Sequence, residues 1–196
     1  MRAFIGISLP QPVRVSLTLL QRQLAESQAD VKWVGEEQLH VTIRFLGEID
    51  EPQRQAVEEA LTAAASRVAP FSFSLSRVGA FPSLASPRVL WVGIDQGQAR
   101  LAGMAKELET RLNALEFPGE SRTFVAHVTL GRVRSTRRVK ELTRCATATA
   151  WRAPSPWPAT SITLYQSALS SAGPRYTVLA DVPLGNDGRA SIVHGR

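Results

Sequence analysis

The chain has 196 residues, of which 44% are hydrophobic and 20% charged, which is typical of a globular domain and excludes wholesale disorder. Its apolar runs are too short to cross a bilayer, and the N-terminal one is too short for a signal-peptide core. The net charge of +6 favours encounter with polyanions such as nucleic acid. The single cysteine, Cys145, excludes an intrachain disulfide and fits a reducing cytoplasm, where we expect the protein; a cysteine-poor secreted protein is the alternative.

Hydrophobic periodicity, proline and glycine together predict strands and helices that alternate along the chain. The predicted strands are residues 2–9, 31–34, 37–46, 71–79, 88–95, 123–131, 160–168 and 175–182. The predicted helices are residues 12–27, 51–67, 98–115 and 136–146. A loop is predicted at Phe81–Pro87, and Pro154, Pro156 and Pro158 predict an irregular crossing before the last two strands.

No long linker divides this order of elements. Residues 1–184 are therefore expected to form one domain, in which two lobes share a cleft. Residues 185–196 show no periodicity and are expected to form a flexible tail.

A His-x-Thr unit occurs twice, each time inside a predicted strand. Residues 37–46 alternate, with Leu39, Val41, Ile43 and Phe45 on one side and His40, Thr42 and Arg44 on the other. The second unit places His127 and Thr129 on one side and Val128 and Leu130 on the other. Each unit can therefore present an imidazole and a hydroxyl to a cleft while its apolar side is buried.

Two imidazoles suit the general acid–base cleavage of a phosphate ester. A neutral imidazole activates water, and a protonated one gives its proton to the leaving alkoxide. Threonine hydroxyls can bind phosphate oxygens, and a nearby arginine can offset charge in the transition state. No metal is needed in this scheme.

Other interpretations of these residues are open. A single strand histidine is more often structural, but two matched units use two of the three histidines in the chain, and the third, His194, has no supporting pattern. Two histidines are too few for a closed zinc site. Cys145 is expected to be a buried helical thiol rather than a nucleophile. A basic run after the second unit is either a solvated face or a nucleic-acid contact; it comprises Arg132, Arg134, Arg137, Arg138 and Lys140.

The two units resemble the signature of the 2H phosphoesterases. Their flanks are most similar to the bacterial and archaeal RNA 2',3'-cyclic phosphodiesterase branch, historically called 2'-5' RNA ligase. The resemblance covers nearly the whole chain and also rests on Arg2–Ile7, Pro87–Gly93 and Ile162–Ser167. It implies an α+β fold that is bilobal and pseudo-twofold symmetric, with two antiparallel sheets, outer helices and a central cleft.

The resemblance also implies roles for five residues. His40 would be the general acid and His127 the general base, while Thr42, Thr129 and Arg132 would bind the phosphate. The reaction would open RNA 2',3'-cyclic phosphate ends to 2'-phosphomonoesters without metal or cofactor, and 2'-5' RNA ligation is a possible additional activity. We expect a monomer that binds RNA and no membrane.

The chain departs from the family pattern at Ala126, where many relatives have proline. Strict alternation would also turn Arg132 away from His127, so its implied role requires a bulge or a strand end at Gly131. The same alternation favours Phe45 in the core over Phe45 as a base-stacking residue. The competing functions are a cyclic phosphodiesterase of a small nucleotide or an ADP-ribose derivative, and an RNA-binding protein with a relic site.

Overall fold

A computed structural model describes residues 1–120, 123–170 and 173–185. Four α-helices lie in these ranges, α1 (Gln11–Ala25), α2 (Glu51–Ala65), α3 (Gln98–Ala114) and α4 (Val139–Ala148), together with a 3-10 helix at Glu36–Gln38. The strands in the same ranges are β1 (Arg2–Ser8), β2 (Val31–Trp33), β3 (His40–Glu48), β4 (Phe71–Phe73), β5 (Leu75–Ser83), β6 (Ser86–Ile94), β7 (His127–Val133), β8 (Trp157–Ala159), β9 (Ser161–Ser170) and β10 (Gly173–Pro183).

Eight strands form one antiparallel sheet in the order β10-β9-β1-β3-β7-β6-β5, with β2 also paired to β7. We call β10, β9, β1 and β3, with α2 and α3, the first lobe, and β2, β7, β6 and β5, with α1 and α4, the second lobe. The pair Val41–Val128 is the only strand pairing between the lobes within the described ranges. A separate two-stranded sheet joins β4 and β8. The predicted α+β class, with antiparallel sheets and outer helices, is confirmed.

The helices begin and end where local chemistry allows. At the start of α2 the Asp50 carboxylate accepts the Gln53 backbone N–H at 2.8 Å, and the Gln53 side chain accepts the Asp50 N–H at 3.0 Å. This capping box satisfies two of the free donors at a helix start. One apolar face of α1 is buried in the second lobe, with Leu17, Leu20 and Leu24 fully enclosed.

Several element boundaries differ from the predictions. The predicted loop Phe81–Pro87 is the end of a hairpin, in which only Leu84 and Ala85 lie between β5 and β6. A register shift after Phe81 brings Pro82 opposite Pro87, at the hairpin end, where prolines are tolerated because few ladder bonds are needed.

The predicted strand 71–79 is interrupted at Ser74. Ser74 bonds to the segment that follows β6: its carbonyl accepts the Asp95 N–H at 2.9 Å, and its own N–H donates to the Gln96 carbonyl at 3.3 Å. Before Ser74, Phe73 turns into the core against Trp157, with ring centroids 4.4 Å apart. The proline-rich crossing therefore contains a short strand, β8, which pairs with β4.

The boundary of the predicted domain at residue 184 stays a prediction. Of the predicted tail only Gly185 is described, and His194 lies outside the described residues. Within residues 1–120, 123–170 and 173–185, no helix is both long enough and apolar enough to cross a membrane.

Candidate active site

The two His-x-Thr units lie next to each other where the lobes meet. Strands β3 and β7 are antiparallel, and Val41 is paired with Val128. Because both valines are buried on the helix side, the flanking residues of each unit point to the opposite side, which we call the cleft face. The antiparallel register places His40 beside Thr129 and Thr42 beside His127. Each imidazole thus has a threonine from the other lobe alongside it.

The two units match in burial and in hydrogen bonding. The first six residues of β3 and of β7 have the same order of half-buried, buried and exposed positions. The Nδ1 atoms of His40 and His127 each lie 2.6 Å from the carbonyl oxygen two residues earlier, Gln38 and Val125 respectively. A carbonyl only accepts, so each Nδ1 carries the proton. In the neutral rings each Nε2 is then left with a lone pair.

A bulge in β7 decides where Arg132 lies. Trp91 of β6 is paired with Thr129 and Leu90 with Gly131, so Leu130 is the extra residue. An extra residue reverses the alternation beyond it, which brings exposed Arg132 to the same face as Thr129. Arg132 also lies near Tyr176 on this face. Burial raises the pKa of the Tyr176 hydroxyl, and the nearby charge of Arg132 opposes that rise. The irregularity required at Gly131 is therefore present.

A matching bulge in β3 changes the predicted positions of Arg44 and Phe45. Gly6 of β1 is paired with Thr42 and Ile5 with Arg44, so Ile43 is the extra residue. Phe45 is consequently exposed by 62%, and Arg44 is buried with 5% exposure. The predicted core position of Phe45 and cleft position of Arg44 are both wrong, because strict alternation does not survive a bulge. Phe45 now occupies the first-lobe position that Arg132 occupies in the second.

Aromatic rings surround His40 on the cleft face. The Phe4 ring lies 4.7 Å from the imidazole, and the Tyr176 ring meets it edge-on at 5.3 Å. Tyr165 stacks on Phe4 at 5.0 Å, and Phe45 lies 6.1 Å from Phe4 on the outer side. These rings restrict the imidazole and exclude water around it. Sequence reasoning missed them, although Phe4, Gly6 and Ser8 alternate in β1 in the way a strand facing a cleft would.

Two aromatic rings lie close to His127. Phe81 meets it edge-on at 5.1 Å, and Trp91 lies 6.0 Å away. The Trp91 indole lies flat over Gly79, where a Cβ atom would come within 2.2 Å of the ring. Because Gly79 has no side chain, the Trp91 indole can lie against the sheet beside His127.

Burial governs the protonation of both histidines. Desolvation lowers the pKa of His40; the hydrogen bond to the Gln38 carbonyl opposes this effect, and the nearby charge of His127 adds to it. Desolvation also lowers the pKa of His127, opposed by the bond to the Val125 carbonyl. In the free protein both imidazoles are thus biased towards the neutral form. The Thr42 hydroxyl lies 2.8 Å from His40 Nε2 and can donate to it.

Two glutamines hold the backbone of the site. The buried Gln21 amide of α1 donates to the carbonyls of Leu130 and Val34, each at 2.8 Å, and so supports the bulge before Arg132. Gln38 carries the carbonyl that His40 bonds. Its own amide donates to the Pro174 carbonyl on β10. Lone glutamines carry no motif, so the sequence offered no signal for either role.

Arg44 serves the fold on the helix side of β3. Its guanidinium lies 3.1 Å from Glu109 on α3 and 3.0 Å from Glu120, and it also donates to the Pro118 carbonyl. It therefore ties the segment after α3 to the strand of the first unit. Cys145 lies on α4, as predicted, but it is half-buried rather than buried. In the described part of the chain, no three His, Cys, Asp or Glu side chains are grouped closely enough to hold a metal ion.

The family model described as LigT like Phosphoesterase matches this chain twice, over residues 7–91 and 92–176. This chain belongs to that family. Each match contains one His-x-Thr unit, so the family pattern occurs twice along the chain, as the repeat in the sequence does. The predicted 2H phosphoesterase assignment is confirmed.

Individual relatives of this LigT-like phosphoesterase cover nearly its full length. A protein of Aquifex aeolicus (strain VF5) named RNA 2',3'-cyclic phosphodiesterase is 33% identical over 188 residues, which are 94% of this chain and 97% of the relative. A solved structure from Thermus thermophilus has a TM-score of 0.77 at 28% identity and covers 95% of this chain and 100% of its own. The structure of E. coli LigT with 3'-AMP has a TM-score of 0.75 at 26% identity and covers 94% and 98%.

Proposed function

We propose that this phosphoesterase hydrolyses 2',3'-cyclic phosphate ends of RNA to 2'-phosphomonoesters. The observation that carries the proposal is the pair of imidazoles at the junction of the lobes, each fixed through Nδ1 and each with Nε2 available for proton transfer. The relative named RNA 2',3'-cyclic phosphodiesterase supports this choice of substrate.

In the proposed reaction the two histidines have different roles. Nε2 of His127 takes a proton from water, whose oxygen bonds to phosphorus. The bond from phosphorus to O3' breaks, and protonated Nε2 of His40 gives its proton to O3'. Thr42, Thr129 and Arg132 bind the phosphate oxygens and offset the charge that develops on them. Phe45, exposed beside the Phe4 ring, offers the adjoining base a surface on which to stack.

The test is incubation of the purified protein with RNA ending in 2',3'-cyclic phosphate, in the presence of EDTA. We expect a 2'-phosphate product, identified by its phosphorus NMR signal. Activity that is lost with EDTA and restored by one divalent metal would contradict the metal-independent mechanism. Turnover of small cyclic nucleotides or ADP-ribose derivatives but not of RNA would favour the competing enzyme function. RNA binding without turnover of any of these substrates would favour an RNA-binding protein with a relic site.

The assigned roles predict that His40→Ala and His127→Ala each lower kcat by about a hundred- to ten-thousand-fold, the usual contribution of a positioned acid or base. His194→Ala removes the third histidine of the sequence and serves as the matched control, with unchanged turnover. Circular dichroism should show the same fold in all three variants. More than about a tenth of wild-type kcat in either site variant would contradict its role.

We further propose that the protein is a cytoplasmic monomer. One half-buried cysteine suits a reducing compartment. The cleft face draws both histidines from one chain, so a single copy holds the whole site. Sedimentation equilibrium at assay concentration tests this: turnover that rises with assembly into dimers would contradict it.

A further inference from the structure

Positive charge is concentrated in one part of the second lobe. Residues 123–152 contain seven Arg or Lys residues and one acidic residue, Glu141. The structure adds Lys32 to this group, because β2 pairs with β7 and Lys32 lies directly opposite Arg132. Paired residues of neighbouring strands point to the same face, so Lys32 extends the charge of Arg132 sideways on the cleft face.

The same two segments continue beyond the sheet. The Arg134 backbone N–H donates to the Asp30 carbonyl at 2.8 Å, which keeps the segments side by side. Arg134 lies two residues after Arg132 and therefore on the same face. Farther out, the Arg138 guanidinium donates to the Gln28 side chain. We call Lys32, Arg134 and Arg138 the basic track; it leads from Arg132 away from the cleft.

The basic track is available for an anion. Lys32, Arg134 and Arg138 are exposed, and within the described ranges none of them has a carboxylate partner. By contrast Arg44, Arg54 and Arg111 elsewhere in the chain each contact a glutamate. The large exposed hydrophobic side chains of the described residues all lie outside the two segments of the track. Cations that have no carboxylate partner and no large exposed hydrophobic side chain in the same segments suit a polyanion better than a membrane or an apolar protein surface.

We propose that the basic track binds the phosphate backbone of the RNA that precedes the cyclic phosphate end. The inference rests on the proposed function, since it takes the cleft to hold the terminal nucleotide. Residues two apart on a strand lie about 6.6 Å from each other, and neighbouring strands lie about 4.8 Å apart. Cations at this spacing can follow a flexible single strand by charge without reading its bases.

The experiment compares two substrates and two doubly substituted proteins. The substrates are a ten-nucleotide RNA with a 2',3'-cyclic phosphate end and adenosine 2',3'-cyclic monophosphate. Lys32→Gln/Arg134→Gln removes two charges from the track. Arg100→Gln/Lys106→Gln removes two charges from α3 of the first lobe and is the matched control. None of these four side chains has a bonding partner among the described residues, so all four substitutions should leave the fold intact.

For the track variant we expect KM on the decamer to rise about tenfold at moderate salt, with kcat unchanged. The slope of log KM against log salt should fall by about 0.7 for each phosphate that the track no longer neutralises. Turnover of the mononucleotide should change less than about twofold, because it does not reach the track. The control should behave like the wild type on both substrates.

Three outcomes would overturn the proposal. The first is an equal loss of kcat/KM on the decamer and on the mononucleotide in the track variant. The second is an unchanged salt dependence of KM on the decamer in that variant. The third is an equal rise of KM in the α3 control, which would show an effect of net charge alone. Binding of a decamer with a 2'-phosphate end, measured by fluorescence anisotropy, separates this proposal from the proposed function. Loss of that binding in the track variant supports the track even if neither cyclic substrate is turned over.

Discussion

At the scale of single residues, the site combines a symmetric frame with unlike side chains. His40 matches His127, and Thr42 matches Thr129. The residues brought to the cleft face by the two bulges differ: Phe45 in the first lobe and Arg132 in the second. One lobe thus offers an aromatic surface and the other a charge at the corresponding place.

Arg132→Lys keeps the charge but removes the planar, two-pronged donor. We expect Arg132→Ala to lower kcat about a hundredfold, by analogy with the loss of one donor that stabilises transition-state charge, and Arg132→Lys to restore only part of it. Arg88→Ala removes an exposed arginine at the start of the neighbouring strand and should be neutral. The measurement is kcat on the mononucleotide cyclic phosphate. Near-normal turnover in Arg132→Ala would show that Arg132 does not contact the reacting phosphate.

The pH profile follows from the two histidines. In the proposed mechanism His127 is neutral and His40 protonated before the reaction, so rates should fall at both low and high pH. Burial lowers the pKa of both groups in the free enzyme, which shifts the profile of kcat/KM towards acid. A bound phosphate anion favours the imidazolium and raises the pKa of His40. We therefore expect the optimum of kcat at higher pH than that of kcat/KM. The apparent pKa values in each profile describe the two coupled histidines together rather than either one alone.

Initial rates from about pH 5 to about pH 9, a range that brackets the ordinary titration of histidine, measure both profiles. A rate that rises throughout this range would indicate attack by hydroxide without an imidazolium acid. Optima of kcat and kcat/KM at the same pH would contradict the expected effect of the bound anion.

At the scale of secondary-structure elements, a bulge in each central strand determines which side chains reach the cleft. The bulge in β7 is held by Gln21, which reaches from α1 to the Leu130 carbonyl. Gln21 is therefore a positioning residue for Arg132. It touches neither the proposed substrate nor the histidines.

Gln21→Met keeps the side-chain length but removes the donor to two carbonyls. We expect stability to fall by about 1–3 kcal/mol, because the Val34 carbonyl loses the Gln21 donor and the Leu130 carbonyl keeps only the Val34 N–H. We also expect kcat to fall when Arg132 is present, but little further in Arg132→Ala. Gln11→Met, on the exposed start of α1, is the control. Additive losses in a double-mutant cycle would show that Gln21 acts on stability alone.

The sequence predicted the elements and the pair of histidines well because these depend on local patterns. The apolar spacing of α1 and the alternation around His40 each lie within a short stretch of chain. The bulges at Ile43 and Leu130 were not predictable in this way, since strand pairing and the long-range contact of Gln21 produce them. The hairpin at Phe81–Pro87 was missed for a related reason. Its prolines indicate a loop, whereas pairing with β6 and packing of Phe81 on Trp91 extend the strand.

At the scale of the whole molecule, the two lobes are interwoven along the chain. The first lobe takes β1 and β3 from the beginning of the chain and β9 and β10 from its end, while β5, β6 and β7 of the second lobe lie between them. Neither lobe is therefore a continuous segment that could unfold by itself.

We expect one cooperative unfolding transition in urea. Leu164→Ala in the first lobe and Leu90→Ala in the second remove fully buried side chains, and each should lower stability by about 2–5 kcal/mol. Tryptophan fluorescence includes Trp33 and Trp91 of the second lobe, whereas circular dichroism follows the whole chain. Both signals should have the same midpoint in each variant. A Leu164→Ala variant that shifts only the circular dichroism midpoint would show that the lobes unfold separately.

The unlike residues at the two bulges have a consequence for regiochemistry. A cyclic phosphate presents two ester bonds, to O2' and to O3', and a perfectly symmetric pair of His-x-Thr units would treat them alike. Because Arg132 and Phe45 differ, we expect the proposed substrate to have one preferred orientation in the cleft. That orientation decides which histidine faces the leaving oxygen, and hence which bond breaks. The polarity of the proposed reaction then depends on two residues beyond the repeated units, and Phe45→Arg, which makes the two positions alike, should mix the 2'- and 3'-phosphate products.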